Sequence, residues 1–142
     1  MKTSNVYFYI IGLAVALTLL TNFGLNNYLE LFLFLKTDIG FQYPALENTY
    51  LLNNEWWRLL TPTFLHFSLT HLAFNCLWIY ILGSKIEELD GKGLLLFVFV
   101  TSSILSNAGQ FLWTQQILFG GLSGGVYAVS YTHLTLPTRK LV

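Results

Sequence analysis

Charged side chains are scarce in this sequence of 142 residues. Seven acidic and seven basic residues make up 10% of the chain, whereas an average soluble domain has roughly 25%. Hydrophobic residues make up 54%, which excludes an ordinary soluble domain. The formal net charge is zero, so the charge balance gives no indication of nucleic acid as a partner. The single cysteine, Cys76, cannot form an internal disulfide and is expected to be a small apolar packing residue.

Long uncharged stretches dominate the rest of the sequence. A helix that crosses a membrane needs about 20 mostly apolar residues. By this criterion the sequence predicts membrane-spanning helices near residues 6–22, 61–83 and 94–112, and a fourth helix that begins close to Ser123. No Asp, Glu, Lys or Arg occurs in residues 93–138. We therefore predict an all-α polytopic membrane protein.

The first stretch also has features of a secretory signal peptide, since one N-terminal lysine precedes an apolar run. The residues after it, Thr21, Asn22 and Phe23, do not form the small-residue pattern of a cleavage site. We therefore expect an uncleaved first span.

Two connecting segments differ in character. Residues 23–58 contain charged side chains but also LELFLFL and two adjacent tryptophans, which is typical of a loop lying in the membrane interface. Residues 84–93, SKIEELDGKG, are short and charged and predict a tight hairpin between two spans. Lys2, Lys85 and Lys92 would then share one side of the membrane, which favours a cytoplasmic N-terminus.

The second predicted span contains polar side chains, which in a membrane helix usually face the bundle interior or a watery cavity. His71 and Asn75 are four residues apart and would share one helical face, whereas His66 would point elsewhere. One interpretation, favoured for His66, is hydrogen bonding between helices. A metal site is disfavoured because Asn is a weak ligand and no third ligand has suitable spacing. A third interpretation is an anion cradle in which His71 and Asn75 donate hydrogen bonds.

The segment GLSGG (121–125) places Ser123 among glycines. G-x-S-x-G is the nucleophile elbow of soluble hydrolases, but that motif requires an alternating α/β chain, and apolar helical stretches flank it here. At the start of a membrane helix, GxSG would instead place the serine beside free backbone N–H groups, which favour negative charge. The same glycines also form two overlapping GxxxG patterns, which are typical of close helix packing.

Four blocks resemble the rhomboid intramembrane serine proteases in order and spacing. They are EWWR (55–58), FLHFSLTHLAFN (64–75), LGSKIEELDG (82–91) and FGGLSGGVYA (119–128). The resemblance is to the bacterial six-helix type and covers about residues 6–128. It implies the N-terminal portion of a rhomboid-like helical bundle in the bacterial inner membrane.

The resemblance also implies a role for each matching position. Ser123 resembles the nucleophile, and His71 and Asn75 resemble the side chains that form an oxyanion hole with the Ser123 backbone N–H. Gly121 resembles the glycine of the GxSG motif, and Tyr127 resembles the ring that packs against the catalytic histidine. The family's bracing residues are matched by Trp57, Arg58, His66 and Glu87.

The implied activity is endopeptidase cleavage of transmembrane segments by a Ser–His dyad. The serine attacks a peptide carbonyl, the histidine accepts its proton, and preorganised donors hold the oxyanion. The implied partners are the lipid bilayer and membrane-protein substrates with a helix-destabilised transmembrane segment. The resemblance implies no metal, no organic cofactor and no nucleic acid.

The chain departs from the family pattern at its C-terminal end. The family's catalytic histidine lies on the sixth helix, and the last histidine here is His133. It would share a helix with Ser123 at a distance of about 15 Å along the axis, which is out of hydrogen-bonding reach. VSYTHLTLPTR (129–139) is similar to one reading frame of a transposon-derived sequencing adapter. We therefore expect residues 129–142 to be a non-native read-through tail on an inactive fragment.

Two other functions remain open on the sequence. One is a catalytically inactive rhomboid-like protein that binds membrane clients, which would lack a histidine facing Ser123 on the native sixth helix. The other is a small helical membrane protein with glycine-mediated packing and no chemistry. In that case Ser123→Ala and His71→Ala would change stability alone.

Overall fold

The computed structural model describes residues 5–36 and 46–135, with side chains described as far as Tyr131. Within these ranges the chain is helical and contains no strand, so the all-α prediction is confirmed. The α-helices are α1 (Val6–Leu20), α2 (Leu69–Trp78), α3 (Ser84–Leu89), α4 (Lys92–Thr114) and α5 (Ser123–Thr135). Short 3-10 and π-helical turns lie between them.

Three of the helices lie close to where the apolar stretches predicted them. α1 ends at Leu20 instead of residue 22, α4 is longer than the predicted 94–112 by two residues at each end, and α5 begins at Ser123. Among the described helices, α4 alone is long and apolar enough to cross a membrane by itself. α1 is apolar but shorter.

The predicted second helix, 61–83, is wrong at its start and at its end. Thr61–Phe64 forms a 3-10 turn with Pro62 in its first positions, and α2 begins only at Leu69. Ser68 caps α2, because its hydroxyl oxygen accepts a hydrogen bond from the His71 backbone N–H at 3.2 Å. The helical path continues beyond Trp78 through the π-helical turn Ile79–Gly83 into α3.

The hairpin predicted for residues 84–93 is mostly helix. α3 occupies Ser84–Leu89, and the reversal is confined to Asp90 and Gly91. The backbone N–H groups of both residues donate to the Ile86 carbonyl, and Gly91 has a φ of 90°. A glycine in the left-handed region is a common helix terminator, and the side chains before it favour helix.

The main hydrophobic core lies between α1, α2, α4 and α5. The members that are at most 1% exposed are Ala14, Ile79, Ile86, Leu95, Phe99, Leu122 and Val129. The outer face of α4 carries large exposed apolar side chains, among them Trp113, which is 90% exposed. An exposed apolar surface of this kind is typical of a membrane-facing helix.

The N-terminus of α1 is held by a carboxylate from α3. Glu87 Oε2 accepts hydrogen bonds from the backbone N–H groups of Val6 at 2.8 Å and Tyr7 at 3.4 Å. A negative charge here satisfies free N–H groups of the first turn and complements the helix dipole. The contact places the start of α1 and the turn between α3 and α4 at the same end of the bundle.

The segment between α1 and α2 packs against the far end of α4. The rings of Phe34, Tyr50, Phe111 and Phe119 form a second cluster that joins this segment to α4 and to the chain before α5. The Tyr50 hydroxyl donates to the Phe34 carbonyl at 2.6 Å. Burial raises the pKa of Tyr50 despite the opposing charge of Arg58, so the phenol stays a neutral donor.

Arg58 organises this same segment. Its side chain is almost fully buried; Nε donates to Glu55, and Nη1 donates to the carbonyls of Glu30 at 2.6 Å and Leu33 at 3.0 Å. The neighbouring Trp57 is half exposed, and its indole N–H donates to the Leu31 carbonyl at 3.4 Å. Both side chains therefore tie the chain before α2 to the turn that follows α1.

We expect the stability contributed by this ion pair to depend on pH. Burial acts to raise the pKa of Glu55, but the hydrogen bond and charge of Arg58, helped by Lys36, lower it below the ordinary value of 4.5. The stabilisation is therefore present above that value and is lost as pH falls through the lowered pKa. Glu55→Gln should be less stable at neutral pH by about 1 kcal/mol and should lose this acid dependence.

The measurement is equilibrium unfolding in mixed detergent micelles between neutral and acidic pH. Glu88→Gln is the matched control, because Glu88 forms an exposed pair with Lys85, in which the two side chains are 70% and 57% exposed. Such a pair contributes little. Equal acid dependence in wild type and Glu55→Gln would contradict the prediction.

Candidate active site

The polar side chains of the core meet at the end of the bundle remote from Glu87. Here α1 ends, α2 begins, and the chain enters α5. The contacts that define this end are those of His66 with Thr18 on α1, with Asn75 on α2, and with the backbone of Leu122 just before α5.

Gly121 lies directly against the two side chains that were predicted to form an anion cradle. A Cβ atom placed on Gly121 would lie 2.6 Å from His71 Cε1, 2.8 Å from His71 Nε2 and 3.5 Å from Asn75 Nδ2. The φ of Gly121 is 123°, a backbone conformation that residues other than glycine rarely adopt. Glycine is thus required here both for space and for backbone conformation.

His66 lies before α2 and not on it, so the prediction that it points away from His71 was wrong. The centroids of the two rings are 5.0 Å apart, and the ring planes meet at 64°. Helical periodicity did not apply, because Leu65 is extended and Ser68 caps a helix that begins only at Leu69. His66 Nε2 lies 3.2 Å from Asn75 Nδ2 and 3.4 Å from the backbone nitrogen of Leu122.

Ser123 is the first residue of α5 and is half buried. The first backbone hydrogen bond of this turn runs from the Val126 N–H to the Leu122 carbonyl at 2.8 Å. At any helix N-terminus the backbone N–H groups of the first turn have no carbonyl partner within the helix, and Ser123 lies in this first turn. The serine therefore lies where a developing negative charge is favoured.

Two glycines after Ser123 serve the close helix packing that the GxxxG patterns predicted. A Cβ on Gly124 would lie 2.5 Å from the Ser106 side chain, and one on Gly125 would lie 2.6 Å from the Phe99 ring. Both contacts are with α4, the helix against which α5 packs most extensively. Gly121 therefore makes room for the polar side chains, whereas Gly124 and Gly125 allow α5 to pack closely against α4.

Two further candidate residues lie on α5. Tyr127 is 76% exposed, so its ring does not belong to the core of the described residues. The backbone of His133 lies within α5, and its side chain falls outside the described side chains.

Sequence reasoning missed two buried polar residues near this site. Thr18 on α1 is fully buried, and its hydroxyl lies 3.4 Å from His66 Nδ1. Asn107 on α4 donates from Nδ2 to the Leu59 carbonyl at 2.8 Å and to the Thr63 hydroxyl at 3.0 Å. Each is an uncharged polar residue within an apolar stretch, so the test applied to the second span would have found both.

The fold and the site together define a class: helical membrane proteins with hydrogen-bond donors gathered near a serine at the start of a helix that packs in the bundle. The rhomboid-domain family model matches residues 53–141. This match covers more than half of the chain, and the chain belongs to the rhomboid family, whose members are integral membrane proteins. The matched range includes most of the segment predicted to be a read-through tail.

The similar proteins are named as rhomboid proteases. The chain is 32% identical over 108 residues, 75% of its length, to rhomboid protease GluP of Bacillus subtilis strain 168. It is 44% identical over 82 residues to rhomboid protease GlpG of Photorhabdus laumondii, covering 57% of this chain, and 47% identical over 73 residues to that of Serratia proteamaculans, covering 51%. The matched parts span 21%, 29% and 26% of these relatives, respectively.

Proposed function

We propose that the chain is part of an intramembrane serine endopeptidase. The observation that carries this proposal is the position of Gly121, which lies against His71 and Asn75 just before Ser123 at the start of α5. A cradle of donors next to a serine at a helix N-terminus is the arrangement that acyl transfer requires. The protease names of the relatives support the same class of activity.

In the proposed mechanism Ser123 attacks the carbonyl carbon of a peptide bond. The carbonyl oxygen becomes an oxyanion that accepts hydrogen bonds from His71, Asn75 and the Ser123 backbone N–H. A histidine must accept the serine proton and return it to the leaving amine. We propose that this base comes from a later helix of the native protein, since His66 Nε2 already faces Asn75 and the backbone of Leu122. The chain by itself is then inactive.

The proposed substrates are membrane proteins whose transmembrane segment is weakened by small or helix-breaking residues. The proposed location is the bacterial inner membrane, with the N-terminus in the cytoplasm. The contact of Glu87 with the start of α1 supports this orientation, because Glu87 also pairs with Lys92 at 4.0 Å and lies two positions after Lys85, so the start of α1 shares one end of the bundle with both lysines. Substrate cleavage would occur at the opposite end.

Labelling with a fluorophosphonate, which reacts with activated serines, tests this proposal. Two proteins would be compared in lipid nanodiscs. One is the chain of 142 residues. The other, called the native product, carries the further helices that we propose follow residue 128 in the native gene. We expect Ser123 of the native product to be labelled and Ser123 of the shorter chain to remain unlabelled.

The two alternatives predict different outcomes. A native product that carries a histidine on its last helix but is neither labelled nor able to cleave a membrane substrate would contradict the proposal. A native product without that histidine would support the catalytically inactive client-binding protein. Labelling of the shorter chain would show that its own residues supply a base.

A further inference from the structure

We propose that Thr18 is a positioning residue of the candidate oxyanion site, acting from α1 through His66. The proposal rests on the proposed function for its catalytic meaning, but its structural content can be tested alone. Thr18 is separated from His66 by 48 positions in the chain, and its hydroxyl lies 3.4 Å from His66 Nδ1. Both side chains are fully buried.

The partners of the His66 ring assign its protonation. Nδ1 lies 3.2 Å from the Phe64 carbonyl oxygen, which can only accept, so Nδ1 must carry the proton. Nε2 faces two donors, the Asn75 amide nitrogen at 3.2 Å and the Leu122 backbone N–H at 3.4 Å, so Nε2 must be the acceptor. The hydrogen-bond pattern thus selects the neutral ring protonated on Nδ1.

Thr18 completes the Nδ1 side of this arrangement. Its hydroxyl donates to the Phe64 carbonyl at 3.5 Å and offers its oxygen to the Nδ1–H at 3.4 Å. A buried hydroxyl is costly unless it is hydrogen-bonded, and here the bonds also hold the histidine ring in one orientation. If the Thr18 hydroxyl were absent, the Phe64 carbonyl would be the one acceptor left for the His66 Nδ1–H among the described contacts.

The consequence appears on the opposite edge of the ring. His66 Nε2 accepts one hydrogen of the Asn75 amide, which fixes which way that amide faces. The other amide hydrogen is left for the side of Gly121, where a Cβ would lie 3.5 Å from Asn75 Nδ2. The same Nε2 accepts the Leu122 N–H and so holds the chain that leads into Ser123. Thr18 therefore positions two parts of the candidate cradle from a helix that does not contribute to it directly.

Nuclear magnetic resonance of the chain in lipid nanodiscs tests this inference. In a sample with ¹⁵N-labelled histidine, the His66 ring should be neutral and protonated on Nδ1 in the wild type; variants His71→Gln and His133→Gln assign its signals. Thr18→Val removes the hydroxyl at nearly constant volume. We expect exchange of the hydrogen-bonded Asn75 side-chain amide proton to become about fivefold faster in Thr18→Val. Thr18→Ser, which keeps the hydroxyl, should restore the wild-type rate.

The matched control is Thr21→Val. Thr21 is also fully buried near the end of α1, but its hydroxyl donates to the Leu17 and Thr18 carbonyls of its own turn. It should leave the Asn75 exchange rate unchanged. A His66 ring protonated on Nε2, or equal exchange rates in Thr18→Val and Thr21→Val, would overturn the proposal. If Thr18→Val does not fold, Thr18→Ala replaces it in the same comparison.

These measurements do not depend on catalysis. Labelled Ser123 in the native product together with an unchanged Asn75 exchange rate would overturn the role of Thr18 and leave the proposed function intact. An absence of labelling together with faster exchange in Thr18→Val would support the positioning contact and count against the proposed function.

Discussion

Gly121→Ala is expected to lower the free energy of unfolding by about 3 kcal/mol and to abolish labelling of Ser123 in the native product. The added methyl group would lie 2.6 Å from His71 Cε1, so the imidazole ring or the backbone must move. The φ of 123° adds strain that relaxation of the neighbouring side chain cannot remove. Unfolding in mixed detergent micelles and fluorophosphonate labelling measure the two effects.

Gly109→Ala is the matched control for this substitution. Gly109 lies within α4, and among the described residues a Cβ placed on it meets nothing within 4 Å apart from its chain neighbours and the nearby backbone of its own helix. Because alanine favours helix more than glycine, this variant should be unchanged or more stable by up to about 1 kcal/mol. A Gly121→Ala protein as stable and as reactive as the Gly109→Ala protein would show that Gly121 does not lie against His71 as described.

Ser123→Ala is expected to reduce the rate of substrate cleavage by the native product by a factor on the order of 10⁴ or more. On the proposed mechanism this substitution removes the attacking oxygen. The hydrogen-bond donors that remain can stabilise an oxyanion but cannot replace the nucleophile. Since Ser123 is only half buried, the unfolding free energy should change by less than about 1 kcal/mol. Cleavage of a membrane substrate in proteoliposomes measures the rate.

The control for that experiment is Ser102→Ala on α4. The Ser102 hydroxyl donates to the Phe99 carbonyl of its own helix at 3.1 Å, so its loss should leave cleavage near the wild-type rate. A Ser123→Ala protein that still cleaves at the Ser102→Ala rate would identify another nucleophile. Lost cleavage together with a large loss of stability would instead indicate that Ser123 acts in packing.

The sequence predicted the parts of the fold that depend on composition and on local spacing. The all-α class followed from the apolar stretches, and the start of α5 at Ser123 followed from the glycines around it. The proximity of His71 and Asn75 followed from helical periodicity, which holds because both lie within α2. The structure adds that Gly121 is the residue in contact with them.

The parts that were missed depend on where a helix begins. Periodicity was extended through His66, but Ser68 caps α2 after it, so His66 turns back toward Asn75 instead of pointing away. Pro62 in a 3-10 turn was the local signal that the helix had not yet started. The contact of Thr18 with His66 joins residues distant in sequence, and the spacing of neighbouring residues carries no information about it.

The carboxylate that holds the start of α1 also bears on the order of events during synthesis. Val6 and Glu87 are separated by 81 positions, so the first turn of α1 is complete long before its capping group has been translated. Until then the N–H groups of that turn must find other partners in water or among lipid headgroups. The start of α1 therefore gains its final anchorage only once the third α-helix has been made, before α4 and α5 are complete.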